Sequence, residues 1–273
     1  MQPEIDLLGL PIKTFGLMFA LGFLAAGAII ARRLRELGKP EDWAYEMVFA
    51  ALLGGLVGAR LYWAVQHWDE VSDDPVGGLV GGTGLVWYGG AIGGAAFMLA
   101  WARWRGFLGL TLLDVCAVPL ALGYAIGRIG CQLSGDGDYG KAWDGPWAMA
   151  YPDGTVPTTE TVHPTPVYET VTMVLVAWGL WRLRDRLRPG LLLALYLVLA
   201  GLERFLVEFL RRNDPAALGL TSAQWISMAM IAAGGLWLAV AARRGGIRRP
   251  QDRPAAGRPA ARPRSRPAAR TAR

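Results

Sequence analysis

Apolar residues gather in seven stretches, at about 14–31, 43–66, 84–102, 108–133, 165–181, 190–212 and 222–242, separated by polar or glycine-rich connections. Each approaches or reaches the roughly 17–25 residues a helix needs to cross a hydrocarbon core. The pattern predicts an all-α integral membrane protein with about seven transmembrane helices. Composition agrees: 53% of the residues are hydrophobic and the mean hydropathy is +0.29, too apolar for a soluble domain. The first stretch does not read as a cleaved signal peptide, because Glu4 and Asp6 precede it without a basic cluster.

Charge fixes the expected orientation. The net charge of +6 misleads as a global figure, since residues 243–273 hold 11 Arg and one Asp, leaving 17 basic and 21 acidic residues before them. That Pro/Ala/Arg-rich tail cannot bury a core and reads as a disordered segment after a membrane domain spanning 1–242. It is expected to touch anionic lipid, not nucleic acid. Arg32, Arg33, Arg35 and Lys39 follow the first stretch, Arg103 and Arg105 the third, and Arg182, Arg184, Arg186 and Arg188 the fifth. The connection after the second carries Asp69, Glu70, Asp73 and Asp74 and no basic residue but His67. The positive-inside rule then puts the N-terminus outside and the C-terminus in the cytoplasm.

With that orientation, ionisable groups from five stretches reach one level near the outer face. They include Arg60 and Tyr62, Tyr88, Arg128 and Cys131, His163 with Tyr168 and Glu169, and Arg204 with Glu208 and Arg211. A charge at membrane depth is costly and marks function. Arg204 and Glu208 stand four apart, and Arg211 three further, on one helix face. Arg60, Arg128, Arg204 and Arg211 outnumber Glu169, Glu203 and Glu208, so the reading expects a positive excess seeking an anion. Phosphate suits it, because guanidinium forks bind its oxygens bidentately. Asp114 stands apart and reads as a cap or structural hydrogen bond.

Gly54/Gly58, Gly89/Gly93, Gly90/Gly94 and Gly123/Gly127 are small-residue faces suited to close helix packing, while Gly81, Gly82 and Gly84 offer a bend before Tyr88. Trp63, Trp68, Trp101 and Trp104 read as an interfacial belt. The connection at about 134–163 is long enough to be a lid or peptide-binding arm outside the membrane, or a plain solvated connector. Cys116 and Cys131 lie about 22 Å apart on one continuous helix, too far for a disulfide. Two histidines and no CxxC pair point to no metal site, and no cofactor is implied.

GRIG at 127–130, VWYGG at 86–90, GGLVGAR at 54–60, HPTPVYE at 163–169 and RFLVEFLR at 204–211 together resemble the prolipoprotein diacylglyceryl transferases. The resemblance runs from about Phe15 to Met228 in order and spacing. It implies a multi-pass enzyme of the bacterial inner membrane. That enzyme transfers diacylglyceryl from phosphatidylglycerol to the lipobox cysteine of a prolipoprotein signal peptide, releasing glycerol phosphate. By motif position Arg128, Arg204 and Glu208 are the catalytic charged set, and Arg128, Arg60, Arg211, Gly89 and Gly90 are substrate-binding. Tyr88 stands where the family usually has His, Cys131 and Ser134 where it has Asn, Asp136 or Asp138 where it has Glu, and Phe15 where it has Tyr. For the base, His163 has a reference pKa near 6.5 and Tyr88 one near 10. His163 also reads as a simple helix cap. A lipid-binding relative without transfer or with another acceptor, and an anion or proton transporter, stay open at this point.

Overall fold

The computed structural model describes residues 1–7, 9–73, 76 and 86–249. Asp74, Gly81, Gly82, Gly84 and the tail beyond 249 lie outside the described residues. A short antiparallel hairpin, β1 (Glu4–Leu7) and β2 (Leu10–Lys13), opens the chain. There follow α1 (Thr14–Glu36), α2 (Trp43–Gln66), the short α3 (Trp68–Asp73), α4 (Trp87–Trp104) and α5 (Leu110–Ser134). A second hairpin, β3 (Met149–Tyr151) and β4 (Thr158–Val162), precedes α6 (Thr165–Leu183), α7 (Leu191–Val207) and α8 (Ser222–Arg243). Four of these, α1, α2, α5 and α8, are long and apolar enough to cross a membrane.

Each of the seven apolar stretches is a helix, but the all-α expectation is corrected by the two hairpins. Both lie outside the apolar runs, where β-branched residues such as Thr158, Thr159, Thr161 and Val162 favour extended chain. The sixth stretch is also shorter than its apolar run. α7 ends at Val207, one 3₁₀ turn covers Glu208–Leu210, and Arg211 is extended. There the chain turns out to pair with the 134–163 connection, through an isolated bridge between Gly140 and Arg211 and a hydrogen bond from Lys141 N to Leu210 O (2.7 Å).

Packing follows the glycine pattern in part. α2 lies directly on α4, where a Cβ on Gly58 would sit 2.3 Å from Gly89 O and one on Gly93 2.2 Å from Gly54 O. Gly123 meets α1 more loosely: a Cβ on Gly22 would lie 3.7 Å from Gly123 O, while a Cβ on Gly123 or Gly127 would meet nothing within 4 Å. Trp101, expected in the interfacial belt, is instead buried beside Trp43 and Phe107, and its indole donates to Glu46 Oε2 (2.7 Å). Trp68 and Trp104 are exposed.

Two polar devices tie the helices together away from the site. Asp114, on the first turns of α5, accepts hydrogen bonds from Gly190 N (2.9 Å), Leu192 N (3.0 Å) and Leu193 N (3.3 Å). It caps the otherwise unsatisfied N-terminus of α7 from another helix. At the arginine-rich end of α1, the buried Arg33 binds Glu36 (2.9 Å) and Asp185 (2.7 Å), while Arg184 reaches Glu36 (2.9 Å), joining α1 to the end of α6. Cys116 and Cys131 are both free thiols.

Candidate active site

α5, α7 and the extended chain just beyond α7 bring three arginines to one carboxylate on α6. Glu169 sits on the first turns of α6 and is fully buried. Its Oε2 lies 3.0 Å from Arg128 Nε and 3.7 Å from Arg211 Nη1, and its Oε1 accepts from Arg204 Nη1 (3.2 Å) and from the Tyr124 hydroxyl (3.0 Å). Tyr124 and Arg128 are one turn apart on α5, and the guanidinium lies over the phenol ring at 5.0 Å. Glu208 pairs with Arg204 Nη2 at 2.8 Å, as the four-residue spacing predicts, and its other oxygen accepts from Asn213 Nδ2 (2.7 Å).

The glycine-rich turn after α5 supplies the third carboxylate. Gly135 (φ +58°) ends the helix in the left-handed region and Gly137 (φ +93°) continues the turn, as residues without a Cβ do readily. Asp138 then reaches back between two guanidiniums, one oxygen bound to Arg128 Nη1 and the other to Arg211 Nη2. Its backbone carbonyl accepts from Thr165 Oγ1 (2.6 Å) and Arg211 Nη1 (3.0 Å), so the turn is fastened to α6 and to the end of α7. Burial alone pushes the Asp138 carboxyl up, but Arg128 and Arg211 outweigh it and hold it below the usual carboxylate range. Asp136 feels mainly burial, which pushes it up.

The ion-paired core of this site is balanced, not positive. Arg128, Arg204 and Arg211 meet Asp138, Glu169 and Glu208, and none of these ion pairs includes Arg60, whose guanidinium stacks over Trp63 at 4.3 Å. The expected excess counted Arg60 and Glu203 in and left Asp138 out; neither of the first two takes part in these ion pairs. Yet the balance is loosely satisfied. Glu169 Oε2, Glu208 Oε2 and Arg211 Nε are buried in ion contacts without a hydrogen bond. A half-satisfied buried network is costly and is a natural place for an incoming ligand to complete.

Cys131 lies inside this site, its thiol 3.5 Å from Asp138 Oδ2 and 3.8 Å from Arg128 Nη1. Cys131, Asp136 and Asp138 bring three potential ligand atoms within 4.8 Å of one another, but two guanidiniums already bind Asp138 and repel a cation there. A pocket of about 270 Å³ opens beside Asp136, lined by Pro3, Lys13, Phe15, Ser134 and Thr155.

Residues 4–240 match the family model of prolipoprotein diacylglyceryl transferases. The chain belongs to this family. A phosphatidylglycerol–prolipoprotein diacylglyceryl transferase of Clostridium tetani is 32% identical over 238 residues, covering 86% of this chain and 95% of that protein. One of Chromohalobacter salexigens is 34% identical over 260 residues, covering 89% and 94%. One of Leptospira interrogans is 31% identical over 231 residues, covering 74% and 72%.

Among the residues that family motifs single out, Arg128, Arg204, Glu208 and Arg211 come together, and Arg60, Gly89, Gly90, Tyr88 and His163 make none of the network's ion pairs. Gly89 and Gly90 lie in the α2–α4 contact. Tyr88, on the first turn of α4, is 42% exposed. His163 precedes α6, stacked on Trp143 with ring centroids 4.4 Å apart, and its Nδ1 lies 3.3 Å from the Tyr168 hydroxyl. Burial holds its pKa below the usual histidine value. Sequence reasoning overlooked Glu169 as the hub, Asp138 as a partner and Tyr124 altogether. Glu169 was visible as the acidic end of HPTPVYE, and Tyr124 as the residue one turn before Arg128.

Proposed function

We propose that this protein moves the diacylglyceryl group of phosphatidylglycerol onto the lipobox cysteine thiol of a prolipoprotein signal peptide, with glycerol phosphate as the second product. Diacylglyceryl transfer to a prolipoprotein is the activity its family membership supports. The single observation that carries the chemistry is the convergence of Arg128, Arg204 and Arg211 around Glu169 and Asp138.

Thiol attack on the glyceryl carbon drives negative charge onto the departing phosphate oxygen. Fixed donors aimed at that charge lower the barrier without reorganising during the reaction. Arg128 and Arg211 present their forks to the phosphodiester, Arg204 adds a third positive charge, and Glu208 with Glu169 orients it. Arg60, Gly89 and Gly90 line the approach of the lipid from α2 and α4. His163 and Tyr88 are the titratable groups that the motifs offer as proton acceptors.

In this reading all seven long helices span the cytoplasmic membrane of a bacterium as one domain over 1–242. The N-terminus and the 134–163 connection lie outside, and an Arg-rich tail, 243–273, lies in the cytoplasm against membrane lipid. The site then sits at the outer leaflet, where both phosphatidylglycerol and a secreted precursor meet it. Incubation of the purified protein with radiolabelled phosphatidylglycerol and a lipobox peptide tests the reading. Label on the peptide supports it; lipid binding without transfer overturns it.

A further inference from the structure

Asp138 occupies the place a phosphodiester would take. A carboxylate that offers one oxygen to Arg128 and the other to Arg211 meets the same geometric demand as the two non-bridging oxygens of a phosphate between two guanidiniums. The two anions cannot share both forks, so binding of the lipid's phosphate displaces the Asp138 side chain. Its main chain stays, because Thr165 Oγ1 and Arg211 Nη1 hold the carbonyl and Asp136 Oδ1 accepts from its N–H (3.2 Å). The freed carboxylate therefore remains within one side-chain rotation of the reacting centre.

A thiol already meets this carboxylate. Cys131 Sγ donates to Asp138 Oδ2 at 3.5 Å with Arg128 alongside, so this corner accommodates a sulfur, an acid and a guanidinium together. Asp136 also reaches the Cys131 thiol, but Asp138 is the carboxylate that bridges Arg128 and Arg211. The pocket beside Asp136 gives an extended peptide a way to the same turn. We infer that Asp138 is the proton acceptor for the lipobox thiol, released for that task when phosphatidylglycerol takes its two arginines. This rests on the transferase reading above.

The step balances. The thiol proton passes to a carboxylate oxygen of Asp138 as the sulfur bonds to the glyceryl carbon. The bond from that carbon to the phosphate oxygen breaks, and its electron pair stays on the oxygen, held by Arg128 and Arg211. Asp138 then passes its proton to the departing glycerol phosphate, and on product release its carboxylate returns to the two arginines. The energetics run the right way. While it bridges them, the two arginines hold the Asp138 carboxyl below its ordinary value against burial. Once phosphate engages them, burial remains and Asp138 becomes a stronger base, nearer to a thiol. Arg128, Arg211, Cys131 and Asp136 are the titratable or charged groups in contact with it or on the same turn.

The test separates this role from that of a structural counter-ion. With the full-length protein in detergent, Asp138→Asn removes the competing charge, so glycerol phosphate binds about tenfold more tightly by calorimetry while transfer falls by about 100-fold or more, the usual worth of a general base. Asp138→Glu restores transfer to within about tenfold of the parent, since a carboxylate is again present. Transfer by Asp138→Asn within about threefold of the parent overturns the inference. So does weaker phosphate binding or loss of folded protein in that variant, or a failure of Asp138→Glu to recover. Wild-type protein that transfers nothing contradicts the transferase reading itself, a result distinct from any of these.

Discussion

Arg128 and Arg204 close on opposite oxygens of the Glu169 carboxylate, Nε at 3.0 Å from Oε2 and Nη1 at 3.2 Å from Oε1. Two arginines from different helices, far apart in the chain, are thereby joined through a single acid from a third. Glu169 thus does for the site what a template does: it fixes guanidinium orientation before any lipid arrives.

Replacing Glu169 by Gln preserves volume but leaves three guanidiniums sharing one less charge. Breaking a buried pair by removing one partner costs about 3–5 kcal/mol. The expected outcome is a marked fall in the thermal midpoint of the detergent-solubilised protein. An unchanged midpoint shows that Glu169 is not the hub.

Arg204→Lys keeps the charge but loses the fork that reaches Glu169 and Glu208 together. Loss of one preorganised donor costs about 10²–10³ in rate, so transfer per folded molecule should drop by about that factor. Lipid-transfer kinetics on purified variant and parent measure it, and a change below threefold contradicts the assignment.

Much of this arrangement was legible in the sequence. Apolar stretches marked all seven long helices because an uninterrupted apolar run of this length folds as a helix, and four of these are long and apolar enough to cross a membrane. The four-residue spacing of Arg204 and Glu208 gave their ion pair without any tertiary knowledge. Asp114 read correctly as a cap or structural hydrogen bond because an isolated buried acid must find donors. The partners of Arg128 were not legible. Asp138 reaches it through a turn whose left-handed glycines set a direction that no periodicity encodes. Nor was the neighbour of Arg60 legible, because a helix position fixes depth but not the partner a long side chain selects; its guanidinium lies over Trp63. Trp101 likewise carried a belt composition while its ring packs beside Trp43 and Phe107 and its indole reaches Glu46 on the first turn of α2.

Gly93→Ala tests the α2–α4 contact. Its Cβ would stand 2.2 Å from Gly54 O, a backbone atom that cannot rotate away. Overpacking of this kind costs about 1–3 kcal/mol, so folded yield and thermal midpoint should both fall. Gly127→Ala, facing open space, should leave both unchanged.

His163 gives a pH signature. Burial keeps its folded pKa below the unfolded value near 6.5, so below about pH 6.5 the unfolded chain binds the proton more readily than the folded one. Stability therefore falls as pH drops through that range. His163→Phe keeps the stack on Trp143 and carries no titratable ring, so its thermal midpoint should lose this part of the decline between pH 7 and pH 5, measured side by side with the parent.

The central claim is that Arg128 grips the phosphate of the lipid donor. Arg128→Ala, reconstituted in vesicles containing radiolabelled phosphatidylglycerol and a lipobox peptide, tests it most directly. No label should reach the peptide although the protein is folded; transfer at the parent rate would contradict the account.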